Sequence, residues 1–251
     1  MPDSKFMHAL VVGASSGIGE AVARRLAADG ARVALVARRE DELRQIMDEI
    51  NEAAGEERAI AVAHDVRAAD EAPDLVQEIA RRLGGLDLVI YAAGAMPAVA
   101  VDEYDTAKDR EMLEVNLVGA VAWLNPVAER MARLGRGTIV GIGSVAGDRG
   151  RAPNPVYCTS KAGFHAYLEA LRNRVAKLGV KVVTIKPGFV DTAMTQGKEG
   201  LFWVISADRA AEIILKKARR GVVTAYVPAR WRVVMTIVRS IPSFIFSKLG
   251  F

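Results

Sequence analysis

Short apolar runs alternate with longer amphipathic segments along almost the whole chain. The apolar runs have the length and the aliphatic composition of buried strands, and they lie at residues 9–12, 32–37, 59–63, 86–91, 138–142, 180–185 and 222–227. The spacing of apolar residues between them predicts helices at 19–28, 40–51, 70–83, 105–134, 156–178 and 207–219. Strands that alternate with helices are typical of a parallel sheet covered on both faces. We therefore predict a doubly wound α/β fold with seven parallel strands.

Length and composition fit this prediction. The chain has 251 residues, of which 51% are hydrophobic and 25% charged, which suits one large domain over residues 1–230 followed by an extension at 231–251. The single cysteine, Cys158, excludes an intramolecular disulfide, and the three histidines show no ligand spacing, so no metal site is expected. The first apolar run leads into a strand rather than a signal peptide, and no run of about 18 apolar residues is present. A cytoplasmic protein is the default expectation.

Positive charge is concentrated at the C-terminal end. The net charge is +4, yet residues 201–251 carry nine Lys and Arg against only Asp208 and Glu212. The preceding 200 residues are therefore slightly acidic. Because the basicity belongs to one segment, it does not indicate a nucleic-acid-binding protein.

A glycine-rich turn joins the first predicted strand to the first predicted helix. The turn includes Gly13, Ser15, Ser16, Gly17, Ile18 and Gly19. Glycines allow the backbone to approach a diphosphate, and the helix that follows presents free N–H groups and the positive end of its dipole. The spacing is G-x-x-x-G-x-G rather than G-x-G-x-x-G, but its place between strand and helix predicts dinucleotide binding. The expected sheet is therefore Rossmann-like.

The end of the second predicted strand indicates which dinucleotide is bound. An acidic residue there would bind the adenosine ribose and repel a 2′-phosphate. This chain has Ala37 at that position, followed by Arg38 and Arg39. Arginine suits bidentate phosphate contacts, so NADP(H) is favoured over NAD(H), with Arg39 the more dispensable of the pair.

The stretch from Ser144 to Lys161 carries the candidate chemistry. Tyr157 and Lys161 are four residues apart, so on a helix they share one face. A cation beside a phenol favours the phenolate and lowers the pKa of the tyrosine, which would make Tyr157 usable as an acid or base near neutrality. Cys158 would point away from Tyr157 and is expected to be a packing residue.

Taken in order, these motifs resemble the short-chain dehydrogenase/reductase family over about residues 6–230. The glycine turn is similar to the family's glycine motif, with Val12 in place of the usual threonine. Ser144 stands thirteen residues before Tyr157, as in the family, and Tyr157 with Lys161 matches its Tyr-x-x-x-Lys pair. A turn after the fourth strand resembles the family's Asn-Asn-Ala-Gly, but its first residue here is Tyr91.

The resemblance implies further site residues. Asn116 corresponds to the helix asparagine of the family's catalytic tetrad. Asp65, followed by Val66, corresponds to the aspartate that meets the adenine ring. The remaining residues implied to bind the cofactor are Ala93, Gly94, Pro187, Gly188, Val190 and Thr192, besides Tyr157 and Lys161 themselves.

The resemblance also implies hydride transfer between a nicotinamide and a carbonyl or alcohol carbon. Tyr157 would give or take the proton on the substrate oxygen, and Ser144 would donate a hydrogen bond to the same oxygen. Lys161 would keep the phenol acidic and hold the nicotinamide ribose. Asn116 would anchor a water molecule that connects Lys161 to solvent.

The segments expected beside the substrate are apolar. They are Met96, Pro97 and Val99 after the fourth strand, and Met194, Leu201, Phe202, Trp203 and Val204 after the Pro-Gly segment, Pro187-Gly188. A lid of this composition would accept a hydrophobic ketone or alcohol.

The C-terminal extension combines apolar residues with Arg232, Arg239 and Lys248, and Pro242 divides it into two short helices. Packing on the protein or in a homo-oligomer, a dimer or tetramer, is favoured over peripheral contact with a membrane surface.

The leading hypothesis is an NADPH-dependent enzyme that reduces a carbonyl on a hydrophobic small molecule, or runs the reverse reaction. One alternative is an NAD-dependent alcohol dehydrogenase. The other is a catalytically silent regulator or scaffold that binds the cofactor, although such proteins usually lack the tyrosine or the lysine that this chain retains.

Overall fold

The computed structural model describes residues 5–197 and 200–249. The strands in these ranges are β1 His8–Val12, β2 Arg32–Ala37, β3 Ala59–Ala63, β4 Leu88–Tyr91, β5 Gly137–Ile142, β6 Val180–Pro187, β7 Val190–Asp191, β8 Ile205–Ser206 and β9 Thr224–Val227. The helices are α1 Gly17–Ala28, α2 Glu40–Ala54, α3 Ala72–Leu83, α4 Thr106–Leu113, α5 Gly119–Leu134, α6 Pro155–Val175, α7 Ala207–Arg220, α8 Trp231–Ser240 and α9 Ser243–Phe246.

The main sheet formed by the described residues has seven strands in the order β3-β2-β1-β4-β5-β6-β9, and every neighbouring pair is parallel. The chain builds outward from β1 to β3, then returns to place β4 on the other side of β1. In sheets of this kind, a crevice opens at the carboxyl ends of the strands where the direction of building reverses. The topology thus places a candidate ligand site above β1 and β4.

Helices cover both faces of the sheet because successive strand side chains point to opposite sides. In β1, Ala9 and Val11 join the apolar core formed with α1, α2 and α7. Leu10 and Val12 join the second core, formed with α3, α5 and α6. The four side chains are fully buried. The doubly wound, seven-stranded parallel fold predicted from the sequence is confirmed.

Several local features differ from the sequence-based expectations. The predicted helix at 105–134 is divided, because a π-helical turn, Glu114–Val118, separates α4 from α5. A small parallel sheet of β7 and β8, which the apolar pattern did not indicate, fastens the segment after β6 to the start of α7. The final strand begins at Thr224 rather than at residue 222.

The π-helical turn is held by Tyr91, the last residue of β4. Tyr91 is fully buried, and its hydroxyl donates a hydrogen bond to the carbonyl oxygen of Val115 at 2.7 Å. Its ring packs edge-on against Phe164, with 5.8 Å between ring centres. A π turn leaves backbone groups out of the regular α-helical pattern, and Tyr91 supplies a donor for one of them. The neighbouring residue in this turn is Asn116.

The C-terminal segment forms two helices, α8 and α9, with Pro242 between them, as predicted. Trp231 and Met235 of α8 are buried against Val145, which directly follows Ser144. Among the described residues, no helix is both long and apolar enough to cross a membrane.

Candidate active site

A cleft of about 430 Å³ opens at the carboxyl ends of the strands, above β1 and β4. This volume lies within the range usual for small-molecule and cofactor sites. The predicted residues that line it are Gly13, Ser15, Ser16, Gly17, Ile18, Gly19, Arg38, Arg39, Val66, Ala93, Gly94, Ser144, Tyr157, Lys161, Pro187, Gly188, Val190 and Thr192. The lining also includes Ala37, and residues that the sequence did not single out, namely His64, Ala92, Val115, Ile142, Gly143, Ala193 and Thr195.

The glycine turn lies at one end of the cleft in a conformation that larger residues would disturb. Gly13 has φ +90°, and a Cβ atom added there would lie 2.4 Å from the backbone nitrogen of Ala93. A Cβ on Gly19 would lie 2.0 Å from the carbonyl oxygen of Gly13. Ser16 precedes α1 in extended conformation, and its side chain makes no capping hydrogen bond within the described chain. The turn therefore packs tightly on itself and leaves the amino end of α1 available to an anion.

The two arginines after β2 differ in their contacts. The guanidinium of Arg39 donates to the carbonyl oxygen of Ser15 at 3.1 Å and to its hydroxyl at 2.9 Å, and it also pairs with Glu42 at 3.3 Å. Arg38 contributes to the charge that lowers the pKa of Asp65. Arg39, which the sequence had made the more dispensable residue, is thus the one that joins the end of β2 to the glycine turn.

Asp65 does not lie in the cleft lining. The Arg67 side chain donates two hydrogen bonds to one oxygen of the Asp65 carboxylate, from Nη2 at 2.5 Å and from Nε at 2.9 Å, and these are the main reason that the pKa of Asp65 is lowered. His64 and Val66 on either side of it do line the cleft. The role of Asp65 at an adenine ring stays a prediction.

Tyr157 and Ser144 meet at the other end of the cleft. Tyr157 lies in the first turn of α6 and is buried, and the Ser144 side chain lies close enough to its hydroxyl to oppose part of the rise in pKa that burial causes. The Ser144 hydroxyl also accepts a hydrogen bond from the amide of Ala146 at 3.1 Å, which begins the short 3₁₀ turn after β5. The serine is therefore held by its own backbone turn and directed at the phenol.

Lys161 and Asn116 lie behind this pair. The Lys161 ammonium donates to the carbonyl oxygen of Ile142 at 3.1 Å, and burial lowers the pKa of Lys161 to about 8. The Asn116 side chain accepts from the amide of Ala95 at 2.7 Å and donates to the Ala95 carbonyl oxygen at 2.9 Å and to Ser160 at 3.0 Å. A Cβ added at Gly94 would lie 3.4 Å from the Asn116 oxygen and 3.5 Å from the Lys161 nitrogen. The structure thus brings the four predicted tetrad residues together.

The acidity of the tyrosine differs from the sequence-based expectation. Burial raises the pKa of Tyr157 above its usual value, and the hydrogen bond with Ser144 and the charge of Arg151 only partly oppose this rise. The Lys161 nitrogen lies 5.9 Å from the centre of the Tyr157 ring and is itself desolvated. The protein alone therefore holds Tyr157 protonated, in the form that donates a proton.

The Pro-Gly segment at the end of β6 and the residues that follow it form another wall of the cleft. Val190 is buried, and its carbonyl oxygen accepts hydrogen bonds from the hydroxyls of Thr195 at 2.7 Å and Thr192 at 3.4 Å. Thr192 faces the glycine turn, since a Cβ on Gly17 would lie 2.9 Å from its methyl group. Gly188 faces the C-terminal segment instead, because a Cβ there would lie 1.9 Å from the indole nitrogen of Trp231.

A buried polar network that the sequence did not reveal supports the Ser144 loop. The Asp148 carboxylate pairs with Lys186 at 2.5 Å and accepts a hydrogen bond from the Tyr226 hydroxyl at 2.6 Å. Burial, assisted by Lys186, lowers the pKa of His165 to about 3, so this imidazole is neutral and accepts a hydrogen bond from the Ser144 amide at 3.4 Å. The partners are separated by 21 to 78 positions, so no spacing in the sequence could have indicated them.

The predicted substrate side is apolar in the structure. Met96 and Val99 pack against a buried cluster that contains Tyr157 and Met112, and Met194 lines the cleft. Farther out, Phe202 stacks on Trp231 with 5.2 Å between ring centres, and Trp203 meets the same indole edge-on at 6.0 Å. The C-terminal segment thus contacts the apolar segment expected to cover the site.

These features fit a dinucleotide cofactor. The glycine turn and the uncapped amino end of α1 suit a diphosphate, and Arg38 and Arg39 offer positive charge at the adenosine end. Tyr157 and Lys161 lie at the opposite end, under the apolar wall. The fold and the cleft together define a parallel α/β protein of the dinucleotide-binding class.

Comparison with known proteins narrows this class. Residues 7–200 match the family model for short chain dehydrogenases. An uncharacterized oxidoreductase of Staphylococcus epidermidis is 34% identical over 191 residues, which cover 76% of this chain and 81% of that protein. An uncharacterized oxidoreductase of Staphylococcus aureus is 33% identical over 187 residues, covering 74% and 79%.

Two solved structures of oxidoreductases are similar to this chain in fold and in sequence. A variant of actinorhodin polyketide ketoreductase with NADPH has a TM-score of 0.78 and 29% identity, covering 88% of this chain and 95% of that one. A short-chain type dehydrogenase/reductase from Mycobacterium ulcerans has a TM-score of 0.81 and 25% identity, covering 89% and 90%. The chain belongs to the short-chain dehydrogenase family of oxidoreductases, as its motifs indicated.

Proposed function

We propose that this protein is an NADP(H)-dependent oxidoreductase that interconverts a carbonyl and an alcohol on a hydrophobic small molecule. The observation that carries the proposal is the buried contact between Tyr157 and Ser144 at the closed end of the cleft, with Lys161 and Asn116 behind it. A protonated phenol beside a hydroxyl donor suits an oxygen that gains negative charge during reduction.

Each residue has a distinct part in this proposal. When bound, the nicotinamide supplies or accepts the hydride. Tyr157 gives its proton to the carbonyl oxygen during reduction and takes it back during oxidation. Ser144 donates a hydrogen bond to that oxygen and fixes its position. Lys161 holds the nicotinamide ribose, and its charge offsets the negative charge left on Tyr157 after proton transfer.

Asn116 acts through the loop after β4. Its amide is bonded to both backbone groups of Ala95, so it holds Gly94 and the approach to Lys161 in place. A water molecule at this turn would connect Lys161 to solvent, which remains part of the proposed proton path.

The preference for NADP(H) rests on the charge at the adenosine end. Ala37 offers no carboxylate at the end of β2, and both Arg38 and Arg39 line the cleft. Arg39 also orders Ser15, so a guanidinium and a hydroxyl lie side by side there. This pair suits a 2′-phosphate, and the similar ketoreductase structure contains NADPH.

The proposed substrate is hydrophobic because Met96, Val99 and Met194 surround the reactive end of the cleft. We also propose that the active protein is a cytoplasmic homo-oligomer. This proposal rests on family membership alone.

The test is a panel of aldehydes and ketones assayed for NADPH and NADH consumption. We expect reduction of at least one apolar carbonyl with a preference for NADPH, and we expect Tyr157→Phe to lower kcat by about 10²–10⁴-fold, since that is what a positioned proton donor contributes. NADPH binding, measured by fluorescence titration, should change little in Tyr157→Phe.

Tyr104→Phe is the matched control, because Tyr104 is 95% exposed and does not line the cleft. It should retain full activity. If Tyr157→Phe kept substantial turnover, the acid–base assignment would be wrong. If the panel gave no turnover while NADPH still bound, the silent regulator would become the better description.

A further inference from the structure

The C-terminal segment, residues 231–249, has one face on the protein and one face in solvent. On the inner face, Trp231 and Met235 are buried, and Val234 and Val238 are partly buried against the same cluster. On the outer face, Val233 and Ile237 lie one helical turn apart and are 65% and 62% exposed. The helix is therefore apolar on two opposite sides, and only one of them has a partner within the described chain.

The inner face of α8 is held on the protein by contacts with Arg149. The Arg149 guanidinium donates hydrogen bonds to the carbonyl oxygens of Val238 at 2.8 Å, Arg239 at 3.2 Å and Ile241 at 2.5 Å. The same group lies over the ring of Phe246, 4.1 Å from its centre. These contacts satisfy the carboxyl end of α8 and keep its outer face directed away from the protein.

Further exposed apolar side chains follow Pro242. Phe244 is 71% exposed, and Ile245 and Leu249 are exposed as well. Single exposed apolar side chains are common, but a row of aliphatic and aromatic residues on consecutive short helices indicates an interaction surface.

All charged side chains of this segment are positive. Arg232, Arg239 and Lys248 lie within the segment, and no Asp or Glu occurs after Glu212. The combination of an apolar row with flanking cations suits the boundary between lipid headgroups and acyl chains, where anionic headgroups bind the cations. An interface in which this segment packed on the same segment of a second copy would instead bring like-charged residues together with no carboxylate on either.

We propose that the outer face of residues 231–249 docks on an anionic lipid surface. Val233, Ile237 and Phe244 enter the headgroup boundary, and Arg232 and Lys248 contact lipid phosphates. Self-packing, favoured from the sequence, and membrane contact then apply to opposite faces of the same helix. The proposal does not depend on the proposed reaction, since it concerns binding alone.

The C-terminal segment lies next to the apolar residues expected to cover the cleft. Trp231 begins α8 and also contacts Phe202 and Trp203, the apolar residues beyond the cleft. A lipid surface under α8 would therefore lie beside the wall through which a hydrophobic molecule approaches.

The experiment is co-sedimentation of the full-length protein with vesicles of phosphatidylcholine alone or of phosphatidylcholine and phosphatidylglycerol in equal parts. We expect the protein in the pellet with anionic vesicles and in the supernatant with neutral ones, and we expect salt to release it because screening weakens the headgroup contacts. The variants V233S/I237S/F244S and R232Q/K248Q should each lose most of the bound fraction. Truncation at residue 230 is a poorer test, because it would also remove the buried Trp231.

Two control variants match these in chemistry. L134S/L178S removes exposed apolar side chains on other elements, and R81Q/K177Q removes two surface cations elsewhere; both should bind like the parent protein. Recovery of the parent protein in the supernatant with anionic vesicles would overturn the proposal, as would an equal loss of binding in the controls. The face would instead belong to an interface with a second copy if two results were obtained together. The parent protein would stay in the supernatant and be oligomeric by light scattering, and the variant V233S/I237S/F244S would be monomeric.

Discussion

Replacing Asp148 with alanine should destabilise the protein and disturb the reactive end of the cleft, although Asp148 touches neither Tyr157 nor the proposed cofactor site. Its carboxylate is 2% exposed and joins the loop after Ser144 to β6 through Lys186 and to β9 through Tyr226. The loop therefore rests on a buried charge pair rather than on apolar packing alone.

The magnitude follows from what Asp148→Ala leaves behind. The Lys186 side chain is 13% exposed, so its ammonium would lose its partner in a largely desolvated place. Removing one partner of a buried ion pair costs about 3–5 kcal/mol of unfolding free energy. The Tyr226 hydroxyl also loses an acceptor, but it is partly exposed and water can replace the carboxylate. We therefore expect a loss of about 3–5 kcal/mol, with a lower kcat because Ser144 is less well positioned.

The measurement is a double-mutant cycle of urea unfolding. It compares the free energies of unfolding of the parent protein, Asp148→Ala, Lys186→Met and the double variant. The double variant should lose less than the sum of the two single variants, since neither charge is then left unpaired. Asp29→Ala is the matched control, because the Asp29–Arg219 pair has the same 2.5 Å separation but side chains 27% and 20% exposed. Its cost should be smaller, about 1 kcal/mol. A cost for Asp148→Ala no larger than that of Asp29→Ala, or strict additivity in the cycle, would refute the reasoning.

Two further predictions concern the cofactor end and the π-helical turn. Arg38→Ala and Arg39→Ala should each weaken NADPH more than NADH in fluorescence titrations, and equal losses for both cofactors would remove the 2′-phosphate role from that residue. Arg39→Ala should also weaken NADH somewhat, because Ser15 loses its partner. Tyr91→Phe should cost about 1–3 kcal/mol in urea unfolding, since the buried Val115 carbonyl oxygen loses its donor. An unchanged unfolding midpoint in Tyr91→Phe would show that the turn does not need this hydroxyl.

The sheet could be predicted from the sequence because parallel strands buried on both faces are short, almost uninterrupted apolar runs. Residues 32–37 and 59–63 were bounded correctly for this reason. The π-helical turn could not be predicted, because one additional residue in a helical turn barely alters the apolar spacing over residues 105–134. The contact that stabilises it joins Tyr91 to a residue 24 positions away.

The motifs located the candidate site, but they did not show what supports it. Short spacings such as that of Tyr157 and Lys161 express one helical face, which is a local property of the chain. The support of Ser144 comes from Asp148 and His165, which depend on how separate strands and helices meet. The division of the chain at residue 230 stays a prediction, and the packing of Trp231 ties the segment after it closely to the site.

The π-helical turn between α4 and α5 makes the site sensitive to chain length as well as to side-chain identity. A π turn contains about one residue more than an α turn, so it shifts the two helices by one position relative to each other. Deleting a single residue between Glu114 and Val118 would allow one continuous α-helix in which α4 and α5 keep nearly the same relative rotation, because the π turn already accommodates the additional residue. The π turn itself would be lost, and with it the backbone position from which Asn116 reaches Ala95 and Ser160. Deletions within this turn should therefore impair the site more than substitutions on the exposed side of the helix.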